Sequence, residues 1–291
     1  MLDHPRLVKA AESLDPVPIS VTRLLAVVAR DNWAFTDVEQ VISLDQALTG
    51  RLLRLANSWA VASHMPVGTV KDAVFRVGIG PVVSFATAAC VGPSFRRALP
   101  EYGLSEGRLW RHAVAASLGA EVLGAMSPAG VPVESITAAL LHDVGKLVLA
   151  RFLTPDLLQG LADARATGDR TAMQAEVEVL GVHHGELGGL IARHWNLPER
   201  LAEAIAHHHA PEKVADVVCD AVHVANIAAR LVAGPPPLAD ADVQPSPGAV
   251  ERLRLPANFL DRLTAHVGRR LEDVLARYDG ATEPIRVRAA S

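Results

Sequence analysis

Apolar residues return at the spacing of an α-helix along almost the whole chain, and alternating strand-like runs are scarce. Such a sequence can bury its hydrophobic surface by setting helices against helices and by little else. Residues 19–29 place Leu24, Leu25 and Val28 on one face. Thr36 followed by Glu39 reads as a capping box that opens a helix running through 44. Further helices are expected over 46–58, 70–77 and 81–91, followed by breaks at Gly92-Pro93 and around 100–103. The pattern resumes over 105–126, 134–150, 155–165, 172–180, 198–209 and 214–232. Between 234 and 248 Pro and Asp accumulate, as in a linker. Residues 256–278 are again amphipathic and rich in Arg. The expectation is an all-α protein with one helical unit over 1–104, a second over 105–233, and a linker with a helical tail over 234–291.

Composition narrows this further. Half of the 291 residues are hydrophobic but only 4% are aromatic, so the core must be built of Ala, Leu and Val, which suits closely spaced helices. Two cysteines, Cys90 and Cys219, make neither a disulfide framework nor a thiolate metal site, and a reducing cytoplasm is expected. No basic region followed by an apolar stretch opens the chain, so no signal peptide is expected. The most apolar stretch, 136–152, is interrupted by His142, Asp143 and Lys146, so no membrane span is expected. A net charge of -4 gives no general pull toward nucleic acid.

The chemistry is concentrated in histidines. His142-Asp143 closes an apolar helix, with Gly145 permitting a sharp turn and Lys146 adding a positive charge. His112 lies upstream; His184 and His208-His209 lie downstream. Neutral imidazoles and one carboxylate suit Fe, Mn or Zn. Brought together in a helical bundle, His112, His142, Asp143, His184, His208 and His209 would be the metal ligands. Asp143 could bridge two ions, a water between them would be acidified for attack on phosphorus, and Lys146 would meet the phosphate oxygens. The competing expectation for any one histidine is a core ring bonded to a backbone carbonyl. His223 and His266 are read that way, and His183 and His207 as surface neighbours of the more interesting residues. Asn57-Ser58 should satisfy nearby backbone groups, and Trp110 and Trp195 should be core residues. The arginines at 252, 254, 262, 269, 270, 277, 286 and 288 read as a solvated surface or a partner-binding face.

Together these residues resemble the HDOD family, bacterial output domains related to HD-domain metal-dependent phosphohydrolases. The resemblance covers about 14–232. In the first half it rests on Asp15-Pro16-Val17-Pro18, the run 42–48, the run 52–58, Val70-Lys71-Asp72-Ala73 and Val77-Gly78. In the second half it rests on Leu109-Trp110-Arg111-His112, the run 141–146, Gly181-Val182-His183-His184, Trp195-Asn196-Leu197-Pro198 and the run 205–211. It implies a helical N-terminal bundle packed on an HD-like bundle, and a regulatory role in signal transduction through contacts with other signalling proteins. The alternative it implies is a metal-dependent phosphohydrolase acting on a nucleotide or phosphoester, with Asp143 and Lys146 catalytic; a third is binding of a nucleotide messenger without turnover, through Arg51, Arg54 or the tail. Two departures stand out. Asn226 occupies the place where the hydrolases have a final Asp ligand, which weakens one of two metal positions. The Gly-Tyr-Pro signature of cyclic-di-GMP phosphodiesterases is replaced after His209 by Ala210-Pro211-Glu212, so hydrolysis of that nucleotide is not expected.

Overall fold

Helices account for all regular structure among the described residues, which in this computed structural model are 4–30, 32–58, 66–166, 171–234 and 244–282. The nearest thing to a strand is a single bridge between Leu99 and Leu104. The fold is all-α, as expected. Its first half contains α1 (His4–Glu12), α2 (Ile19–Val28), α3 (Phe35–Ser43), α4 (Gln46–Ser58), α5 (Val70–Val77) and α6 (Ile79–Phe95). Its second half contains α7 (Arg108–Met126), α8 (Glu134–Leu141), α9 (Lys146–Leu149), α10 (Pro155–Ala166), α11 (Ala172–Leu180), α12 (His184–His194), α13 (Glu199–His207) and α14 (Val217–Ala233). Then follow α15 (Pro247–Arg252) and the long α16 (Phe259–Thr282).

The two halves share one hydrophobic core that runs from Leu7 to Tyr278. Small side chains make this possible. α7 and α14 form the most extensive helix pair, and they approach so closely that a Cβ on Gly119 would lie 3.3 Å from that of Ala225. The last helix, α16, lies against α7 and α14 and also against α4 and α6, while α1 crosses to rest on α9 and α12. Arg252 forms a two-pronged ion pair with the fully buried Asp220, Arg270 pairs with Glu121, and Arg277 with Asp273. The first two of these arginines therefore tie the tail to α14 and α7, while Arg277 pairs within α16. Arg286 and Arg288, like most of the Pro-rich stretch, lie outside the described residues. Among the described residues no single helix is long and apolar enough to cross a membrane.

Three local expectations are corrected. The cap of α3 is not Thr36 with Glu39: the Asp37 carboxylate accepts from the backbone N–H of Ala34, two residues before the expected motif. α6 runs through Gly92-Pro93 rather than ending there, because its buried run from Val82 to Phe95 outweighs one lost hydrogen bond. The stretch 134–150 is not one helix. It breaks at 142–145 between α8 and α9, and that break builds the site.

Candidate functional site

α8 ends because a side chain takes over the backbone's partner. His142 Nδ1 donates to the carbonyl of Ala139 at 2.7 Å, the acceptor the next turn of helix would have used, and the chain tightens into i→i+3 bonds through Lys146. α13 ends in the same way, with His208 Nδ1 donating to the carbonyl of Ile205 at 2.8 Å. A carbonyl can only accept, so both rings carry their proton on Nδ1 and present an Nε2 lone pair inward. His184, the first residue of α12, is held by a third acceptor: Glu176 Oε2 takes both its Nδ1–H and its backbone N–H at 2.7 Å. Three helix ends thus aim three lone pairs at one interior point.

Asp143 occupies that point. Its Oδ1 lies 3.4 Å from His184 Nε2; its Oδ2 lies 3.4 Å from His142 Nε2 and 3.7 Å from His112 Nε2. One carboxylate therefore faces two sets of potential ligand atoms: His112, His142 and Asp143 on one side, and His184, His208 and His209 on the other. Nε2 atoms of His112 and His142 are 3.1 Å apart, and those of His184 and His209 are 3.0 Å apart. His208 Nε2 is buried with no partner. Lone pairs gathered at such spacing with one left unpaired fit a divalent cation. Glu176 completes the arrangement as the carboxylate behind a ligand histidine, which fixes the ring and its tautomer.

Electrostatics follow from burial. Burial, and then the neighbouring imidazoles, hold His112, His208 and His209 well below the usual histidine range. Burial alone would raise the Asp143 carboxyl. Lys146, whose Nζ donates to Oδ2 at 2.8 Å, instead holds it well below the usual range. For Glu176, burial is likewise outweighed by His184, and its carboxyl stays low.

All six residues expected as ligands converge, and Lys146 sits beside them, buried on Asp143 rather than free for a phosphate. Asn226 lies in the cluster too, its Oδ1 3.1 Å from His112 Nε2. Of the remaining residues, some depart from expectation and others meet it. His183 is not a surface neighbour: it is buried and caps α12, its Nδ1 accepting from the N–H groups of Gly185 and Glu186, and burial with His184 alongside lowers it to about 4. His207 is half-buried and faces Glu203. His223 bonds the His208 carbonyl, as a core histidine should. Trp110 and Trp195 are buried in the core, and Asn57 bonds the backbone of Leu53 and Val67. Gly145 does not serve a special turn, since its φ of -61 and ψ of -26 suit any residue. It serves contact: a Cβ there would lie 1.9 Å from the carbonyl oxygen of His184. Glu176 escaped the sequence reading because a glutamate on a helix carries no signal until the fold places it eight residues before its partner.

Comparison with known proteins agrees with this architecture. The family model of the HDOD domain matches residues 14–211. An uncharacterised protein of Treponema pallidum (strain Nichols) is 27% identical over 78% of this chain and 45% of its own length. A solved structure from Marinobacter aquaeolei VT8, provisionally described as a signal transduction protein, aligns with a TM-score of 0.71 and 19% identity over 94% of this chain and 60% of its own. An HDOD domain protein of unknown function from Geobacter sulfurreducens aligns with a TM-score of 0.64 and 22% identity over 97% of this chain and 99% of its own. At these identities the structural likeness is one of fold. The chain spans less than two thirds of the Treponema and Marinobacter proteins.

Proposed function

This chain belongs to the HDOD domain family, and from that premise we propose that it is a regulatory output protein of signal transduction, acting in the cytoplasm through contacts with other proteins, its histidine pocket serving as structure or sensor. The observation that carries this reading is the closure of the pocket. The cleft reaching His112 and Asp143 is walled by Leu104, Arg108, Leu109, Lys146 and Gly234 and has a volume of about 10 Å³, room for roughly one water. Arg108 is tied across it to the carbonyls of Ala233 and Gly234. Along this cleft those bonds stand between a phosphoester and Asp143. Meanwhile the first half exposes what an interaction surface needs. Ile19 and Leu44 are 69% and 74% exposed on the rim of a groove of about 470 Å³, and Phe75, 71% exposed, stacks on Phe35. Joined into one apolar patch, such side chains would form a contact surface.

A metal fits the pocket on the chemistry of its donors. His184, His208 and His209 with Asp143 would hold one ion, and His112, His142 and Asp143 a second. Asn226 weakens the second position, because a neutral amide gives a cation less charge than a carboxylate. Fe, Mn or Zn suits the set, and when bound would supply a Lewis acid and an acidified water. Around it Glu176 fixes His184, and Lys146 balances Asp143. That donor set favours a second reading, a metal-dependent phosphohydrolase, in which a phosphate would have to draw Lys146 away from Asp143.

Two measurements test the proposal. Protein loaded with Mn or Fe should not turn over nucleotides or bis(p-nitrophenyl) phosphate at enzyme-like rates; turnover abolished by Asp143→Ala would establish the second reading instead. Leu44→Glu and Phe75→Glu should abolish partner crosslinking in cells while leaving the melting temperature within about 2 °C, as exposed substitutions do. Unchanged crosslinking in both would remove the proposed surface.

A further inference from the structure

A second cleft lies where the two halves meet, and its position ties it to the buried cluster without opening onto it. It has a volume of about 230 Å³ and is lined by Ser94, Arg97 and Glu101 on one side and Leu147, Ala150 and Arg151 on the other. Most arginines whose partners are known are spent on carboxylates: Arg96, Arg111, Arg193, Arg200, Arg252 and Arg270 each form an ion pair. The two in this cleft differ. Arg151 donates only to the Ser13 hydroxyl at 3.4 Å, and the Arg97 guanidinium has no partner among the described residues. Two guanidiniums lining one concavity, neither in an ion pair among the described residues although Glu101 lines the same cleft, are suited to a phosphoryl group, which each can grip with two N–H donors.

We propose that this cleft is an effector site for a small free phosphorylated ligand, such as a sugar phosphate. Arg97 and Arg151 would hold the phosphoryl group, Ser94 would donate a further hydrogen bond, and the Glu101 carboxylate would accept from a ligand hydroxyl. The volume falls below the 300–1,000 Å³ usual for sites of drug-sized ligands, which favours a small phosphorylated ligand over a cyclic dinucleotide. The walls give the site its consequence. Glu101 precedes Tyr102, whose hydroxyl donates to Glu176 Oε1, and Glu176 holds His184. Leu147 follows Lys146, which holds Asp143 and lies 5.9 Å above the Tyr102 ring. A ligand drawing the two walls together acts on both carboxylates of the buried cluster through single residues.

Calorimetry with ribose 5-phosphate and inorganic phosphate tests the site. Saturable binding of ribose 5-phosphate is expected, weakened about 10-fold by Arg97→Gln or by Arg151→Gln and unaffected by Arg262→Gln on α16. Both cleft arginines are exposed, so the variants should melt as the parent does. Absence of binding, or equal binding by parent and double variant, overturns the site. Binding only to vesicles containing phosphatidic acid overturns the free-ligand form, and displacement by cyclic di-GMP overturns the size argument. Hydrogen exchange tests the effector role: ribose 5-phosphate should slow exchange over 99–104 and 146–152, and binding without that change overturns the coupling. None of these readouts depends on a metal or on turnover, so the site can fail while the regulatory reading stands, and the reverse.

Discussion

Gly145→Ala separates two explanations of the turn between α8 and α9 by the sign of its effect. The backbone at 145 is helical, with φ -61 and ψ -26. At a site with free space, adding a methyl group there would stabilise the protein by about 0.4–1 kcal/mol, because alanine loses less chain entropy on folding. Gly145 has no free space. Its Cβ would lie 1.9 Å from the His184 carbonyl oxygen and 2.9 Å from both the His184 carbonyl carbon and the Gly188 nitrogen. All three are backbone atoms, so no side-chain rotation relieves the contact. The start of α12 must retreat from the turn by roughly 1 Å, against a core that ordinarily charges about 1–3 kcal/mol for one extra methylene. We expect destabilisation of about 3 kcal/mol or more.

The displacement also lies on the vector that matters for the site. Moving His184 away from residue 145 moves it away from Asp143, whose Oδ1 is 3.4 Å from its Nε2. Affinity for Mn or Zn should therefore fall together with stability. Urea denaturation supplies the first number and metal calorimetry the second. Gly124→Ala on α7 is the control, since a Cβ there meets nothing within 4 Å and should give the small stabilisation. If Gly145→Ala were neutral or stabilising, the close approach of the turn to α12, and with it the convergence of Asp143 and His184, would be wrong.

Other consequences are as direct. Glu176→Gln leaves the packing volume but removes the charge behind His184, and metal affinity should drop about 10–100-fold in calorimetry; an unchanged value would deny Glu176 its part in the site. Asn226→Asp should lower the melting temperature of metal-free protein, by placing a second buried carboxylate near Asp143, and raise affinity for Mn, so that metal restores stability; no gain in affinity would remove Asn226 from the second ligand set. Stability should fall as pH drops below 6.5, because His112, His208 and His209 are held low in the folded chain while the unfolded chain takes up protons at its ordinary value. The slope has an upper limit of about 1.4 kcal/mol per pH unit for each ring, and urea melts between pH 7.5 and pH 5 showing the opposite slope would refute the buried neutral state. His208→Ala should destabilise metal-free protein by about 1–3 kcal/mol through loss of a helix-end hydrogen bond and a cavity, whereas His209→Ala, whose ring bonds no backbone carbonyl among its known contacts, should mainly weaken metal binding; equal thermal effects would refute that division.

How far the sequence speaks depends on the range of the interaction. Helices set by local periodicity and capping are legible to the residue: 46–58, 70–77 and 172–180 read from the pattern coincide with α4, α5 and α11. What is set by a distant neighbour is not. No helix is bounded from the pattern over 184–194, where Gly185, Gly188 and Gly189 carry poor helix propensity. In the fold they are spacers, since Cβ atoms on them would come within 2.8 Å of the Ala206 carbonyl oxygen, the Ile205 side chain and the Ala206 side chain respectively. Close approach to α13 repays their poor helix propensity. Pro93 is the reverse case, a breaker overridden by a buried face. The candidate ligand residues are visible because clustered imidazoles in apolar helices are chemically conspicuous; Glu176, Tyr102 and the capping role of His183 are not, because each acts through a partner that only the tertiary structure supplies.

The site and the scaffold are made by the same atoms. His142 and His208 close α8 and α13 with Nδ1 and, by doing so, leave Nε2 facing inward; His183 opens α12 and thereby sets the position of His184. A ring that ends a helix is retained by the fold whether or not its other nitrogen meets an ion, because removing it orphans a buried carbonyl at a cost of about 1–3 kcal/mol. The His-Asp pair is therefore weak support for catalysis in this chain, since folding alone accounts for His142, and Asp143 already has a buried cation in Lys146. The pocket's closure by Arg108, and Asn226 where a second carboxylate would be needed, both point the same way. A scaffold whose ring positions are maintained by helix ends keeps the shape of a candidate metal site without needing an open path to it, and that is the form the proposed sensor or structural centre would take.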